Sequence, residues 1–223
     1  AVSCTQDTLH VSTDPFGCTA TVSLPFPEVT ELCGPYEVAV EFYVVKQTGP
    51  YEFPQDPDTV LFQSFPFSND EQVIITEVPI GQHFARFIVR DECKNLAQLD
   101  CPVVVADEVS PTLSCDDQIN LSLNDNGYGQ LLATEISEGT NDNCGIALLE
   151  TRRLYEHSPD DCSPLAPVDT FYSAWGPQVE FSCCDAGQMV TVELRAFDIY
   201  GNVSTCWGTV LVEDKVTPRC VAP

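Results

Sequence analysis

The chain has 223 residues, of which 34 are acidic and nine are basic, so its net charge is −25 at pH 7. A surface this negative repels nucleic acids and anionic membranes, which excludes both as expected partners. Hydrophobic residues make up 43% of the sequence, which argues against disorder, and the length suffices for two domains of ordinary size.

The first half of the chain is predicted to be a series of β-strands joined by turns. Strands are predicted at residues 8–12 and 18–24, on either side of a turn at residues 14–17 that contains proline and glycine. Residues 36–46 are rich in β-branched and aromatic side chains and predict a long strand, followed by a surface loop at residues 48–57. Four further segments have strand-like patterns: 60–65, 73–78, 82–90 and 97–106.

The second half repeats the first. Asp91 and Asp198 are 107 residues apart, and each is followed four positions later by asparagine. The same offset relates three further pairs: Asn95 and Asn202, Asp107 and Asp214, Pro111 and Pro218. Nearer the start of each half, an offset of 111 relates Cys4 to Cys115, Asp14 to Asp125 and Cys33 to Cys144. A constant offset of this kind indicates a tandem repeat.

The repeat sets the predicted domains and their fold. Domain 1 is predicted at residues 1–108, domain 2 at 109–218, and a further repeat begins at 219–223. Strands in domain 2 are predicted at 119–123, 130–136, 146–155, 170–174, 179–183, 189–197 and 203–212. Seven short strands in each domain, without a helical period, predict an all-β chain of two immunoglobulin-like, Greek-key β-sandwiches arranged end to end. Proline in each short linker, at Pro111 and Pro218, predicts stiff joins.

The cysteines indicate an oxidising compartment. There are twelve, without a C-x-x-C motif and with only three histidines, so disulfides are favoured over zinc. Stable disulfides predict an extracellular or cell-surface location. The sequence shows no membrane-spanning apolar run and no signal peptide, and its first residues suggest processing or excision from a longer protein.

The motifs resemble a known family. Domain 2 contains Asn141-Asp142-Asn143-Cys144-Gly145 and, later, Asp198-x-x-Gly201-Asn202-x-x-x-Cys206. This pattern resembles the hyalin-repeat, or HYR-like, immunoglobulin-type module of extracellular and bacterial surface proteins. Multi-cysteine arrays of this kind are similar to those in large Bacteroidota adhesins and filament proteins. The chain departs from the pattern at Gly129, which stands where Cys18 predicts a cysteine, and at Cys93, which replaces the usual turn residue. It also has three extra cysteines: Cys162, Cys183 and Cys184.

The cysteine count leaves the disulfide pairing partly open. Domain 1 holds five cysteines, so one of them is either unpaired or bonds outside its domain. Cys33 and Cys144 are expected at the same end of their domains as the turns before Cys101 and Cys206. This placement predicts the bonds Cys33–Cys101 and Cys144–Cys206.

The remaining cysteines have alternative partners. Cys162 is predicted to pair with Cys183 or Cys184, because adjacent strand residues point to opposite faces and only one can reach it. Cys4 and Cys93 are expected near each other. Candidates for covalent links between units or chains are Cys18, Cys93, Cys115 and Cys220, with intradomain bonds as the alternative.

The acidic residues suggest calcium as a cofactor. Carboxylate and amide oxygens suit hard cations, and such residues concentrate at the linkers and in the loop before Cys144. The predicted ligands are Asp107, Glu108, Glu213, Asp214 and Asp142. The alternative is that these residues form turns, since no D-x-D-x-D-G loop is present and aspartate and asparagine are common turn formers.

Other sequence features concern enzymatic activity, sugar binding and glycosylation. No motif of nucleophilic, metalloprotease or phosphate-binding enzymes is present, so we predict no enzymatic activity and interpret His10, His83 and His157 as surface residues. Four aromatic residues are candidates for a sugar-binding face or for packing: Tyr51, Phe53, Tyr172 and Trp175. Asn120 and Asn202 fit the N-linked acceptor pattern, and Thr8 and Thr59 resemble the O-glycosylation signal of Bacteroidota.

These observations predict a structural protein. We expect an adhesive repeat segment of an extracellular filament or surface adhesin, acting as a stiff spacer stapled by disulfides. Its expected partners are neighbouring repeats and other copies in a filament or bundle. One alternative is a glycan- or protein-binding module of a secreted or surface protein, and another is a non-catalytic appendage of a secreted enzyme.

Overall fold

The computed structural model describes residues 2–30, 34–45, 59–159 and 162–216. The chain divides into two compact units, Ala1–Val109 and Ser110–Pro223. Several predicted features lie outside the described residues: the loop at 48–57 with Tyr51 and Phe53, the further repeat at 219–223, Cys33 and Cys220.

Unit 1 is built from β-strands. They are β1 (Val2–Ser3), β2 (Leu9–Ser12), β3 (Thr19–Pro25), β4 (Glu28–Val29), β5 (Tyr36–Val45), β6 (Thr59–Ser68), β7 (Gln72–Pro79), β8 (Gly81–Asp91) and β9 (Leu96–Ala106). One sheet has five strands in the order β2-β9-β8-β5-β6, and the pairs β3-β7 and β1-β4 form separate ladders. The β2–β9 pairing is parallel and the other pairings are antiparallel.

The core of unit 1 lies between the five-stranded sheet and the β3-β7 ladder. In β8, the buried Ala85, Phe87 and Val89 alternate with half-buried residues, as the period-2 pattern predicts. Val22 of β3 and Ile75 of β7 are both 0% exposed and belong to the same hydrophobic cluster. Two packed layers with this strand order form an immunoglobulin-like sandwich.

Unit 2 has the same architecture. Its strands are β10 (Thr112–Cys115), β11 (Gln118–Ser122), β12 (Tyr128–Leu132), β13 (Ser137–Asn141), β14 (Ile146–Tyr155), β15 (Phe171–Tyr172), β16 (Gln178–Ser182), β17 (Met189–Asp198) and β18 (Val203–Glu213). The five-stranded sheet runs β11-β18-β17-β14-β15, with ladders β12-β16 and β10-β13, and β11 pairs with β18 in parallel. The predicted all-β fold, with an immunoglobulin-like sandwich in each unit, is confirmed.

Several details differ from the predictions, and strands β1, β4, β10 and β13 were not predicted. The strand predicted at 130–136 ends at Leu132, and a short helix α1 (Ala133–Ile136) follows, where the Glu135 carboxylate accepts from the Leu132 backbone amide at 2.8 Å. The first turn of each unit also aligns differently. Gly17 donates to the Asp14 carbonyl at 3.1 Å and Gly127 to the Asn124 carbonyl at 2.8 Å, so Asp14 corresponds to Asn124 rather than Asp125.

The turn of unit 2 is also shorter. The Asp14 amide donates to the carbonyl of Thr19, five residues on, whereas the Asn124 amide donates to that of Tyr128, four residues on. Gly129 lies within β12, opposite Phe181. The position of Cys18 is therefore absent from unit 2 rather than occupied by Gly129.

Candidate functional site

A disulfide joins the first and last strands of each unit. In unit 1, Cys4 directly follows β1 and bonds to Cys101 of β9, 97 residues away. In unit 2, Cys115 ends β10 and bonds to Cys206 of β18, 91 residues away. Each bond therefore closes a loop that contains nearly the whole unit.

These bonds correct the predicted pairing. The predictions Cys33–Cys101 and Cys144–Cys206 are wrong. The prediction did not account for depth along the strand: Cys101 is the sixth residue of β9, opposite Ala85, and β9 contacts β1, which directly precedes Cys4. Cys4 consequently does not pair with Cys93. Cys115 bonds within its own unit, so it is not an inter-unit link.

Three further cysteines of the described chain are disulfide-bonded: Cys18, Cys93 and Cys144.

The second disulfide of unit 2 leaves one thiol exposed. Cys162 bonds to Cys184, which is one of its two predicted partners. The strand ends at Ser182, and Cys183–Asp185 forms a single 3₁₀ turn rather than a continued strand. Cys183 is an exposed free thiol that donates to the Gly127 carbonyl at 3.6 Å. The Cys183 thiol therefore lies beside the unit 2 turn that contains Gly127. The equivalent turn of unit 1 carries the disulfide-bonded Cys18.

The repeated Asp-x-x-x-Asn motif is a braced hairpin turn. The Asp91 carboxylate accepts from the backbone amide and the side-chain amide of Asn95, both at 2.8 Å. Asp198 accepts the same two bonds from Asn202, at 2.9 and 2.7 Å, and a third from the Tyr200 amide at 2.8 Å. Both aspartates are buried, with 8% and 2% exposure. The motif satisfies a buried carboxylate with donors of its own turn, which accounts for its repetition at one offset.

The four predicted calcium ligands of the linkers have the following contacts within their own units. In unit 1, buried Asp107 accepts from the Thr13 hydroxyl at 2.7 Å, and Glu108 is exposed. In unit 2, Glu213 forms an ion pair with Lys215 at 2.6 Å. Asp214 is exposed and accepts from the Val216 amide at 3.0 Å.

The fifth predicted ligand lies next to a carboxylate that the sequence did not single out as a ligand. Carboxylate oxygens of Asp142 and Asp198 lie within 4.8 Å of each other. Asp142 Oδ1 accepts from the amides of Cys144 and Gly145, at 2.8 and 2.9 Å. Its Oδ2 is buried and accepts no hydrogen bond from the described part of the chain. Two close carboxylates with an open acceptor are oxygen donors of the kind that hard cations such as calcium bind.

A buried ion pair that the sequence analysis missed anchors the loop after β16. Arg153 and Asp185 side chains are only 4% and 7% exposed, and Arg153 Nη1 reaches Asp185 Oδ2 at 2.9 Å. The guanidinium also donates to the Glu180 carbonyl at 2.7 Å and lies over the rings of Tyr155 and Phe181. Burial alone would raise the pKa of Asp185, but hydrogen bonds from Arg153 and the Ser182 amide outweigh burial and lower it.

The outer face of unit 2, meaning the outward-facing side of β14, β17 and β18, carries an aromatic and charged network. Arg152 Nε donates to Glu193 at 2.6 Å, and Arg195 Nη2 to Glu150 at 2.6 Å. Both guanidiniums lie over the Trp175 ring, at 4.4 and 4.3 Å from its centroid. Trp175 is thus a packing residue of this network.

Two further aromatic residues lie on the outer face of unit 2. The Arg152 guanidinium lies over the Tyr172 ring, 4.2 Å from its centroid. Burial and a hydrogen bond to Glu193 raise the pKa of Tyr172. Trp207, in contrast, is 72% exposed in the middle of β18, directly opposite Glu193. Trp175 and Tyr172 were predicted from the sequence as candidates for a sugar-binding face or for packing, whereas Trp207 was not.

The corresponding face of unit 1 has no exposed tryptophan. Arg86 donates to both oxygens of Asp100, at 2.8 and 2.9 Å, and its guanidinium lies over stacked Tyr43 and Phe84. Asp100 occupies the position of Trp207 at the 107-residue offset and pairs with Arg86, as Trp207 pairs with Glu193. In unit 1 this position is occupied by the Arg86–Asp100 ion pair, whereas in unit 2 it carries the exposed Trp207.

The histidine prediction is wrong at one position. His83 is 4% exposed, its Nε2 lies 2.7 Å from the Pro79 carbonyl, and its Nδ1 accepts from the Val45 amide at 3.4 Å. His10 is exposed and His157 half-buried.

The predicted glycosylation positions differ in accessibility. Asn120 is exposed on β11, and Thr59 is exposed at the start of β6. Thr8 is half-buried. The Asn202 amide nitrogen, where an N-linked glycan attaches, donates to Asp198, so Asn120 is the more available asparagine.

Within the described ranges, no helix is long and apolar enough to cross a membrane.

Comparison with known proteins gives only distant likenesses. No protein-family model matches the chain, and no curated protein matches it. The fibronectin(III)-like modules of CbhA from Clostridium thermocellum share 12% identity over 100% of this chain and 99% of theirs, with a TM-score of 0.31. The structure of Dpr11 IG1 bound to DIP-gamma shows 11% identity over 92% of this chain and 95% of the matched chain, with a TM-score of 0.36. Human mucin-like protocadherin EC1-2 shows 15% identity over 96% of this chain and 98% of the matched chain, with a TM-score of 0.33. At these scores, the fold assignment rests on the strand pairing alone.

Proposed function

We propose that the chain is a structural and adhesive repeat segment of an extracellular filament or surface adhesin, of the hyalin-repeat type, acting as a stiff spacer. The supporting observation is the disulfide between the first and last strands of each unit. Cys4–Cys101 and Cys115–Cys206 close loops of 97 and 91 residues. A pull on the two ends of such a unit is carried by a covalent bond, so the sandwich between the bonded residues cannot be drawn out.

The charge supports the same role. A net charge of −25 keeps neighbouring chains from associating nonspecifically and suits a medium in which salt screens the repulsion. The stapling bonds require an oxidising environment to form, which supports a location outside the cytosol. Neighbouring repeats and other copies of the protein are the proposed partners.

Immunogold electron microscopy of the source cells tests this function. An antibody raised against the chain is expected to label fibres that extend away from the cell envelope, in rows or at regular intervals. Label confined to the cytoplasm, or to the envelope without any projecting fibre, contradicts the proposal. A second antibody against a cytoplasmic protein of the same cells controls for access through damaged envelopes.

A glycan- or protein-binding module is the second candidate function. It is favoured by the outer face of unit 2, where Trp207 is 72% exposed on a regular strand among fixed polar side chains. A tryptophan side chain supplies a large, rigid contact area with an apolar ring face and an indole N–H that can donate to a ligand. Binding of the whole chain to a glycan array, compared with a Trp207→Ala variant, separates this function from the spacer role.

Calcium binding is a further proposal, now centred on Asp142. The open Oδ2 of Asp142 and the nearby Asp198 carboxylate support it, whereas Glu213 is neutralised by Lys215. A bound ion would cancel the repulsion between two close carboxylates and stabilise the loop that carries Cys144.

A further inference from the structure

Trp207 is the more exposed of the two tryptophans, and the polar side chains next to it are held by hydrogen bonds. The chain has two tryptophans, and the other, Trp175, is half-buried between the guanidiniums of Arg152 and Arg195. Residues of β18 alternate, so that Cys206, Val210 and Val212 contact the core while Trp207 points outward. The indole therefore stands on a rigid strand and presents itself to solvent.

The groups around Trp207 are polar and held in place. Glu193 is its direct cross-strand partner, about 5 Å away between Cβ atoms in such a pair. The Glu193 carboxylate is fixed by Arg152 and by the Tyr172 hydroxyl. Thr205 lies two residues before Trp207 on the same face. A flat apolar ring is thus bordered by a positioned acceptor and a hydroxyl.

This combination favours a sugar over a protein surface. A protein partner would require a contiguous apolar patch, but the neighbours of Trp207 on this face are polar: Glu193 across the strand pair, and Thr205 and Thr209 along β18. A pyranose ring has one apolar C–H face that stacks on an aromatic plane, and a rim of hydroxyls that donate to a carboxylate. The net charge of −25 repels anionic glycans, which leaves neutral ones.

We propose that Trp207 is the stacking platform of a binding site for a neutral pyranose glycan on the outer face of unit 2, with Glu193 accepting from its hydroxyls. The proposal rests on the second candidate function and names its ligand class. Unit 1 provides an internal comparison, because Asp100 and its bond to Arg86 replace the platform there. The site therefore belongs to unit 2 alone.

The two tryptophans make a direct measurement possible. In a Trp175→Phe variant of the full chain, Trp207 is the only tryptophan, so its emission reports on this face. The variant is titrated with three neutral probes, cellohexaose, mannohexaose and chitohexaose, and with a heparin hexasaccharide as the anionic probe. We expect a saturable change in emission with at least one neutral probe and none with heparin.

Affinity is then measured by calorimetry on the wild-type chain and its variants. Trp207→Ala and Trp207→Asp, which installs the unit 1 residue type, should weaken binding at least tenfold, and Glu193→Gln should weaken it by less. Phe16→Ala, which removes a ring that is 100% exposed in unit 1, should leave it unchanged. Far-UV circular dichroism and urea midpoints establish that the Trp207 variants remain folded.

Each other outcome overturns the proposal. Equal glycan binding by wild type and Trp207→Ala would move the site elsewhere, while the binding-module function would stand. Binding of heparin alone would contradict the charge reasoning. No binding of any neutral probe, or Trp207-dependent retention of a protein ligand without glycan binding, would remove the glycan site, and the first of these would also count against a glycan-binding module.

Discussion

Removal of the Asp185 carboxylate should be among the most damaging single substitutions in unit 2. Asp185→Asn leaves the Arg153 charge buried, with 4% of its side chain exposed, and without its counter-ion. Breaking a buried pair from one side costs about 3–5 kcal/mol, against a total stability of about 5–15 kcal/mol for a domain. With a urea dependence of about 1–3 kcal/mol per M, the unfolding midpoint should fall by about 2 M.

Tryptophan fluorescence during urea unfolding measures this effect in the right unit. Trp175 and Trp207 both belong to unit 2, so the emission reports unit 2 within the full chain. Glu213→Gln is the matched control. It breaks the ion pair of Glu213 and Lys215, whose side chains are 33% and 65% exposed, respectively. Because this pair is exposed, its loss should lower the free energy of unfolding by less than about 1 kcal/mol.

A double variant separates an unpaired charge from lost packing. Arg153→Met with Asp185→Leu removes both charges and retains side-chain volume, so it should recover most of the stability lost in Asp185→Asn. The reasoning is refuted if Asp185→Asn and Glu213→Gln have the same midpoint, or if the double variant is less stable than Asp185→Asn.

Three further predictions concern pH, the exposed thiol and calcium. Because Arg153 holds the pKa of Asp185 below its unfolded value, this stabilisation is present above about pH 4 and is lost as the pH falls through the folded-state pKa. Between pH 6 and pH 3 the urea midpoint should therefore fall more for wild type than for Asp185→Asn, and an equal fall contradicts this. Under oxidised glutathione, non-reducing gels should show a reductant-sensitive dimer that Cys183→Ser abolishes; an unchanged dimer in that variant assigns the link to another cysteine. If calcium binds at Asp142, EDTA should lower the melting temperature of wild type but not of Asp142→Asn, and an unaltered wild-type melt excludes the ion.

Most strands could be predicted because each carries its own signal. Segments such as β5 and β8 are long, β-branched or alternating, and their buried positions follow the period of two. The two-residue strands β1 and β4 have no such period and are defined only by their mutual pairing, so they were missed. Helix α1 was predicted as strand because its buried residues, Ala133 and Ile136, continue the apolar sequence of β12.

The site residues were harder to predict because their partners are distant in sequence. A cysteine pattern shows which residues are near a turn but not how deep each lies along its strand, and this misassigned Cys101 and Cys206. Arg153 and Asp185 are 32 residues apart, and the only local signal is a charge at an inward position of β14. The outward position of Trp207 could have been predicted. Val210 and Val212 point inward, so the alternation of β18 places Trp207 on the outer face.

Single-molecule force spectroscopy of the full chain, with and without reductant, tests the spacer function most directly. In the oxidised chain, the bonds Cys4–Cys101 and Cys115–Cys206 should prevent the residues between the bonded cysteines from extending under force. The force curve should therefore contain no long unfolding step. After reduction, unfolding should release about 330 Å from the 97 residues of one loop and about 310 Å from the 91 of the other. A Cys162→Ser/Cys184→Ser variant, whose lost bond lies inside the outer loop, should behave as wild type. Long steps in the oxidised wild-type chain would contradict the account.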